Sequence, residues 1–261
     1  MINFTLFLSL LLAGLLEIFV PVLLSLWLAS KIGAKWGVFF VGAAMWFIAL
    51  LVRTPINTYA SLWVYKSFEG ALYIYLGIAI PSLTAGVFEE GARWLAFRFL
   101  AKDHRLENGL MYGAGHGGIE SILLVGIPVL STAITAYFYP LSFTAAQLDA
   151  IAATPAWMAF IGLWERLAAI SFHIGMSVLV LESFRQKQPF YVGAAMAAHF
   201  FFNFSAIYAS QWGVLASEAV ASVWGIISLL YVWTTWKSYK AAVTPTRVEQ
   251  TPESPAPPTP F

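Results

Sequence analysis

Val87-Phe88-Glu89-Glu90-Gly91-Ala92-Arg93-Trp94 sets two adjacent carboxylates and an arginine inside a stretch that otherwise reads as lipid-soluble. On the most lenient insertion scale, a charged side chain near the centre of a bilayer costs about 2.5–3.5 kcal/mol. Three so close together are expected to face protein, to pair, and to serve a function. The fold follows from whether the surrounding chain is also lipid-soluble, and it is. The sequence is 60% hydrophobic and 10% charged, against about 45–50% apolar and 25% charged in soluble domains. A polytopic, all-α transmembrane helix bundle is the expected architecture, because lipid offers no partners to an unpaired backbone.

Composition also excludes several functions. The net charge is +1, and no basic patch with interleaved aromatics is present, so nucleic acid is not an expected partner. There is no cysteine. That removes disulfides, a cysteine nucleophile, iron–sulfur clusters and thiolate metal sites. The first apolar run is too long for a signal-peptide core and lacks a basic leader, so it counts as a span.

A span needs about 20 apolar residues, and about seven segments qualify. They run from about Phe4 to Ala29, Trp36 to Val52, Ala71 to Leu100, Gly109 to Leu130, Ala156 to Leu181, Phe190 to Ser210 and Ala219 to Trp236. The second ends before Arg53-Thr54-Pro55, and Ile56 to Glu69 reads as a polar connection. Ser131 to Pro155 is ambiguous and leaves six or eight spans open, and Glu218 falls in the turn before the last span. Residues 1–243 form one membrane domain with its core at about 71–210, and 244–261 form a disordered, proline-rich cytosolic tail. Lys31/Lys35, Arg98/Lys102/Arg105, Arg185/Lys187 and Lys237/Lys240 mark alternate loops. The positive-inside rule then puts the N-terminus outside and the C-terminus in the cytosol, in the cell membrane. Arg53 and Lys66 are the weak exceptions.

The buried polar residues share a helical spacing. His116, His173 and His199 are followed four places on by Glu120, Ser177 and Asn203, as Glu89 is by Arg93. Residues i and i+4 lie on one helix face, so each helix presents a polar stripe. Depth agrees as well. At about 1.5 Å per residue, Glu90 and His116 lie about 12 Å, and His173 and His199 about 14–18 Å, from the basic loops. One polar site built by spans 3 to 6, in the cytosolic half, is expected. The glycines of span 4, Gly109, Gly113, Gly115, Gly117 and Gly118, either pack helices closely or leave room for a substrate backbone. Arg166 is expected to pair with a carboxylate, Glu165 qualifying only if the helix bends. Glu17 has no identifiable partner.

The ordered motifs Glu89-Glu90-x-x-Arg93, Asn108 to Ser121 with Tyr112, His116 and Glu120, Glu165-Arg166 with Phe172-His173-x-x-x-Ser177, and His199-x-x-x-Asn203 resemble the YhfC family of intramembrane proteases. That family is related to the PrsW proteases and the CAAX prenyl endopeptidases. The resemblance covers about Ala71 to Ser210. It implies an intramembrane endopeptidase acting on membrane-associated peptides or proteins near the cytosolic face. It also implies that Glu89 and His116 activate a water while His199 and Asn203 stabilise the oxyanion. Glu90 and His173 join the candidate catalytic residues, and Arg93, Tyr112, Glu120, Arg166 and Ser177 support them. The Glu-Glu-x-x-Arg spacing is one residue shorter than the CAAX-type motif, and His173 matches a PrsW-type motif instead.

The residues suit this chemistry, since hydrolysis needs a base and an oxyanion site. No Gly-x-Ser-x-Gly elbow is present, and Asp103 and Asp149 fall outside the spans. A cofactor-free glutamate mechanism is the leading expectation. The alternative is a zinc enzyme with His116, His173, His199 and Glu89 as ligands, although His-Glu-x-x-His is absent. A non-catalytic membrane scaffold and an ion-coupled transporter are the readings from other classes.

Overall fold

Helix follows helix through the computed structural model, which describes residues 2–243. The helices are α1 (Phe4–Ile32), α2 (Trp36–Ser67), α3 (Gly70–Phe99), α4 (Leu106–Ser121), α5 (Ile127–Phe138), α6 (Ala145–Ala152), α7 (Ile161–Arg185), α8 (Phe190–Ala209) and α9 (Val214–Val243). There is no strand among the described residues. Seven segments are long and apolar enough to cross a membrane, α4 and α5 counting as one. The chain is therefore an all-α, multi-pass bundle. The expected proline-rich tail lies outside the described residues.

Two boundaries differ from expectation. Ser131 to Pro155 does not cross; it completes α5 and then forms the short α6. Helix α2 does not end before Arg53 but continues through Pro55 to Ser67. Proline removes one backbone donor, and the neighbouring hydroxyls keep nearby carbonyls bonded. Thr54 Oγ1 donates to the Leu50 carbonyl at 2.7 Å and Thr58 Oγ1 to that of Thr54 at 3.0 Å. The same device accompanies Pro21, where Ser25 donates to the Pro21 carbonyl. Glu218 lies within α9 and is buried, not in the preceding turn.

Helix α4 sits at the centre, with α1, α2 and α7 against it. Helix α3 packs between α2 and α8, and α9 covers α7 and α8. The glycines make this possible. A Cβ on Gly115 would stand 2.1 Å from the Phe39 carbonyl oxygen of α2, and one on Gly113 would stand 2.4 Å from Ile174 Cα of α7. Gly109, Gly117 and Gly118 meet Leu181, Ile170 and Pro21. All five glycines of span 4 are thus packing residues, and none leaves space for a substrate backbone.

Beyond Ser121 the helix loosens into a π-turn, Ile122–Gly126, whose end is marked by an Ile127 N–H bond to the Ile122 carbonyl. Pro128 follows and cannot donate to the α-helical ladder. Helix α5 then continues along α1, which also packs against α4 and the π-turn. Turns of this kind bend helices, and this one ends the α4 wall of the site just past Glu120.

On the basic face, Lys35 Nζ meets Asp103 Oδ2 at 2.7 Å, and Arg105 pairs with the same carboxylate. Lys35 and Arg105 hold the Asp103 carboxyl well below the usual carboxylate range. The loops before α2 and α4 are tied together there.

Close approach at Gly115 makes a clear test. Gly115→Ala and Gly113→Ala each force backbones apart and are expected to destabilise the protein by about 1–3 kcal/mol, the usual cost of overpacking. Gly91→Ala, with nothing within 4 Å of its new Cβ, leaves the melting temperature in detergent unchanged. Thermal melts of the three variants check the order.

Candidate active site

The acid pair on α3 divides its attention. Glu89 reaches Arg53 of α2, with Arg53 Nη2 to Oε1 at 3.0 Å, and His116 of α4, with Nε2 to Oε2 at 3.0 Å. Glu90 turns to the other side, where it meets Arg93 on its own helix and His199 Nδ1 of α8 at 2.7 Å. Adjacent residues on a helix point about 100° apart, so one Glu-Glu pair serves two sets of partners. A second network lies beside the first. His173 Nε2 of α7 meets Glu120 Oε2 of α4 at 2.9 Å, and Arg166 Nη1 donates to Glu120 Oε1 at 3.1 Å. Arg93 Nη2 lies 3.4 Å from His173 Nδ1 and joins the two networks.

The three histidines converge as their shared depth required. The rings of His116 and His173 lie 4.4 Å apart, and those of His173 and His199 lie 5.4 Å apart. Glu89, Glu90, Arg93, His116, His173 and His199 are all buried. Asn203 lines a cavity of about 170 Å³ together with Glu89, Glu120, His173 and His199. Tyr112 is fully buried beneath Arg93, whose guanidinium lies 5.8 Å from its ring.

Some expected roles change. The Ser177 hydroxyl returns to the His173 carbonyl of its own helix at 2.7 Å. Arg166 pairs with Glu165 and also with Glu120; the long guanidinium spans both without a bend in the helix. Glu17 is buried with neither carboxylate oxygen hydrogen-bonded. Arg53, expected just past the end of the second span, lies within α2 and pairs with Glu89. Its signal was present in the sequence, since Asn57 follows it at the same i+4 spacing that marked the other stripes.

The residues that gather as metal donors also differ from the expected set. Glu89, His116, Glu120 and His173 bring one donor atom each, all within 4.8 Å of one another. Glu120 takes the place expected for His199, whose Nδ1 is committed to Glu90 and whose Nε2 lies 3.9 Å from Glu89. Zinc bonds imidazole nitrogen and carboxylate oxygen at about 2.0–2.2 Å, usually as a tetrahedron of four. A catalytic zinc takes three protein ligands and keeps a position for water, and two imidazoles with two carboxylates in this space hold enough donors for such a set. Charge fits as well. Arg53, Arg93 and Arg166 face Glu89, Glu90, Glu120 and Glu165, leaving one negative charge in excess for a cation to balance.

The YhfC intramembrane metalloprotease family matches residues 16–224. The chain belongs to this family. It is also 31% identical over 239 residues to the "Uncharacterized membrane protein YhfC" of Bacillus subtilis (strain 168), covering 85% of this chain and 92% of the relative. No solved structure matches the chain. The family description supports a protease that works within the membrane, and with it a bilayer and a membrane substrate as partners. The expectation that no cofactor is needed finds no support, because the family description and the buried donor group both fit a metal ion.

The network makes a stability test. Arg93→Ala strands Glu90 in a buried setting and is expected to cost about 3–5 kcal/mol, as when one partner of a buried pair is removed. Lys35→Ala, at an exposed pair, is expected to cost no more than about 1 kcal/mol. Detergent melts of both variants check the contrast.

Proposed function

We propose that the protein is an intramembrane endopeptidase that would hold zinc with ligands drawn from Glu89, His116, Glu120 and His173, one position being left to water, and that cleaves peptide bonds of membrane-associated substrates. The observation that carries this reading is the meeting of four buried donor atoms from α3, α4 and α7 within 4.8 Å. A metal in such a site supplies Lewis acidity, polarising a carbonyl and acidifying water.

The remaining residues have work that follows from their contacts. An ionised carboxylate only accepts hydrogen bonds, so the His199 proton facing Glu90 sits on Nδ1. That leaves Nε2 on the cavity side, able to take a proton from the attacking water and return it to the leaving amine. Glu90 orients the ring, as a carboxylate does for the histidine of a catalytic triad. Arg93 holds Glu90 in its ionised form by direct pairing. Asn203, one turn from His199 on the cavity wall, donates its amide N–H to the carbonyl oxygen as charge develops. Arg53 and Arg166 neutralise the outer oxygens of Glu89 and Glu120 and fix both side chains.

A second reading has one observation in its favour. Glu89 Oε2 and His116 Nε2 are in direct contact at 3.0 Å, which suits a metal-free glutamate–histidine base with His199 and Asn203 as oxyanion donors. The two readings separate experimentally. In the zinc reading, protein purified in detergent carries zinc by elemental mass spectrometry, and His116→Ala and Glu120→Gln lose it. His199→Ala and Asn203→Ala keep the metal yet stop cleavage of substrates found by comparing membrane proteomes with and without active protein. A metal-free wild type that still cleaves in the presence of chelator would replace the zinc reading with the second one.

A further inference from the structure

The site lies nearer the basic-loop ends of the helices, yet its opening leads the other way. Toward the basic face it is closed. Arg93, Tyr112 and Phe97 have no exposed surface, and the Tyr112 and Phe97 rings pack at 4.9 Å, tilted against each other, between the site and the loops. Toward the opposite face exposure rises. His116 is wholly buried and Arg166 is 9% exposed, while the Glu165 side chain reaches 42% and Ile207 46%. Glu165, Ile207 and Ser217 line the cavity from the start of α7, the end of α8 and the start of α9, and all three of those ends lie away from the basic loops.

The opening continues as a groove. Arg53 lines both the 170 Å³ cavity and a second, shallow and open volume of about 490 Å³ that lies along α2 alone, against Thr54, Asn57, Thr58 and Ser61 with Leu50 and Leu62 at its edges. Its polar side chains form one face of α2. At about 1.5 Å per residue, Arg53 stands about 25 Å and Ser61 about 37 Å from Trp36. The hydrocarbon core is about 30 Å thick, so the groove runs from inside the bilayer to its far edge. The Thr54 and Thr58 hydroxyls bond carbonyls of their own helix and Asn57 Oδ1 accepts from Thr84 Oγ1, so the demand for a polar occupant, which lipid tails cannot meet, rests on Arg53 and the Asn57 amide N–H. Arg53 Nε itself has no hydrogen-bond partner.

We propose that substrates enter from the face opposite the basic loops, with an extended stretch of peptide laid along the polar groove of α2 and its scissile bond at His199. By the positive-inside rule that is the extracytoplasmic face. An extended backbone suits the groove because its amides and carbonyls need polar partners at membrane depth, which helical substrate segments do not. The entry route is independent of the chemistry; the peptide as occupant rests on the protease reading above.

The absence of native cysteine makes the route directly testable. Thr58→Cys, Ser61→Cys and Ile207→Cys are labelled in sealed membrane vesicles of both orientations with a membrane-impermeant maleimide. Leu141→Cys marks the far face and Lys102→Cys the basic face. The expected result is labelling of all three from the Leu141 side. Labelling from the Lys102 side, or none, overturns the route. For the occupant, Thr58→Trp and Ser61→Trp fill the groove outside the catalytic cluster. They are expected to raise KM for an identified substrate several-fold, with kcat and zinc content little changed. Wild-type KM in both variants overturns the peptide groove. Labelling as expected in a protein that cleaves nothing supports the route and sinks the protease reading instead.

Discussion

Charge that has left water must be balanced within a few ångströms, and every helix around the site answers to that constraint. Glu89 and Glu90 cannot both be satisfied from their own helix, because Arg93 reaches only Glu90. Glu89 therefore draws in Arg53 from α2 and His116 from α4, and Glu90 draws in His199 from α8. His173, Glu120 and Arg166 extend the balance to α7. Desolvation makes each missing partner expensive, so the network holds five helices in register while assembling the groups that do chemistry. Stability and function rest on the same contacts here.

Such a network needs close backbones, and α4 supplies them. With small residues on opposite faces, it lets α2 and α7 approach until a single methyl at Gly115 or Gly113 would collide with backbone. His116 and Glu120 are carried into the centre by that approach. Close packing continues past the π-turn, where Gly14 and Gly126 let α1 and α5 approach each other. Tyr112 and Phe97 seal the basic-loop end of the site, while the cavity is lined on the other side by residues of α2, α7, α8 and α9.

Much of the site was legible before the fold. The i, i+4 polar stripes named His116, His173, His199, Glu120 and Asn203, and counting residues from the basic loops put them at one depth. Arg53 escaped because Pro55 was taken as the end of a helix, although Thr54 and Thr58 keep its carbonyls bonded. Ser177 shows the limit of such a stripe, since its hydroxyl bonds the His173 carbonyl of its own helix. The glycines of α4 fitted two readings equally, because a sequence does not state what stands opposite a missing side chain.

By itself, the sequence determined that the protein crosses a membrane as a helical bundle and that its charged residues face inward. Lipid permits no other backbone arrangement and no cheap place for those charges. Only the tertiary structure decided which donors meet. Glu120, not His199, joins Glu89, His116 and His173, because that choice depends on how the helices rotate and how closely they approach. Those quantities arise from packing between helices, and no spacing within one helix contains them.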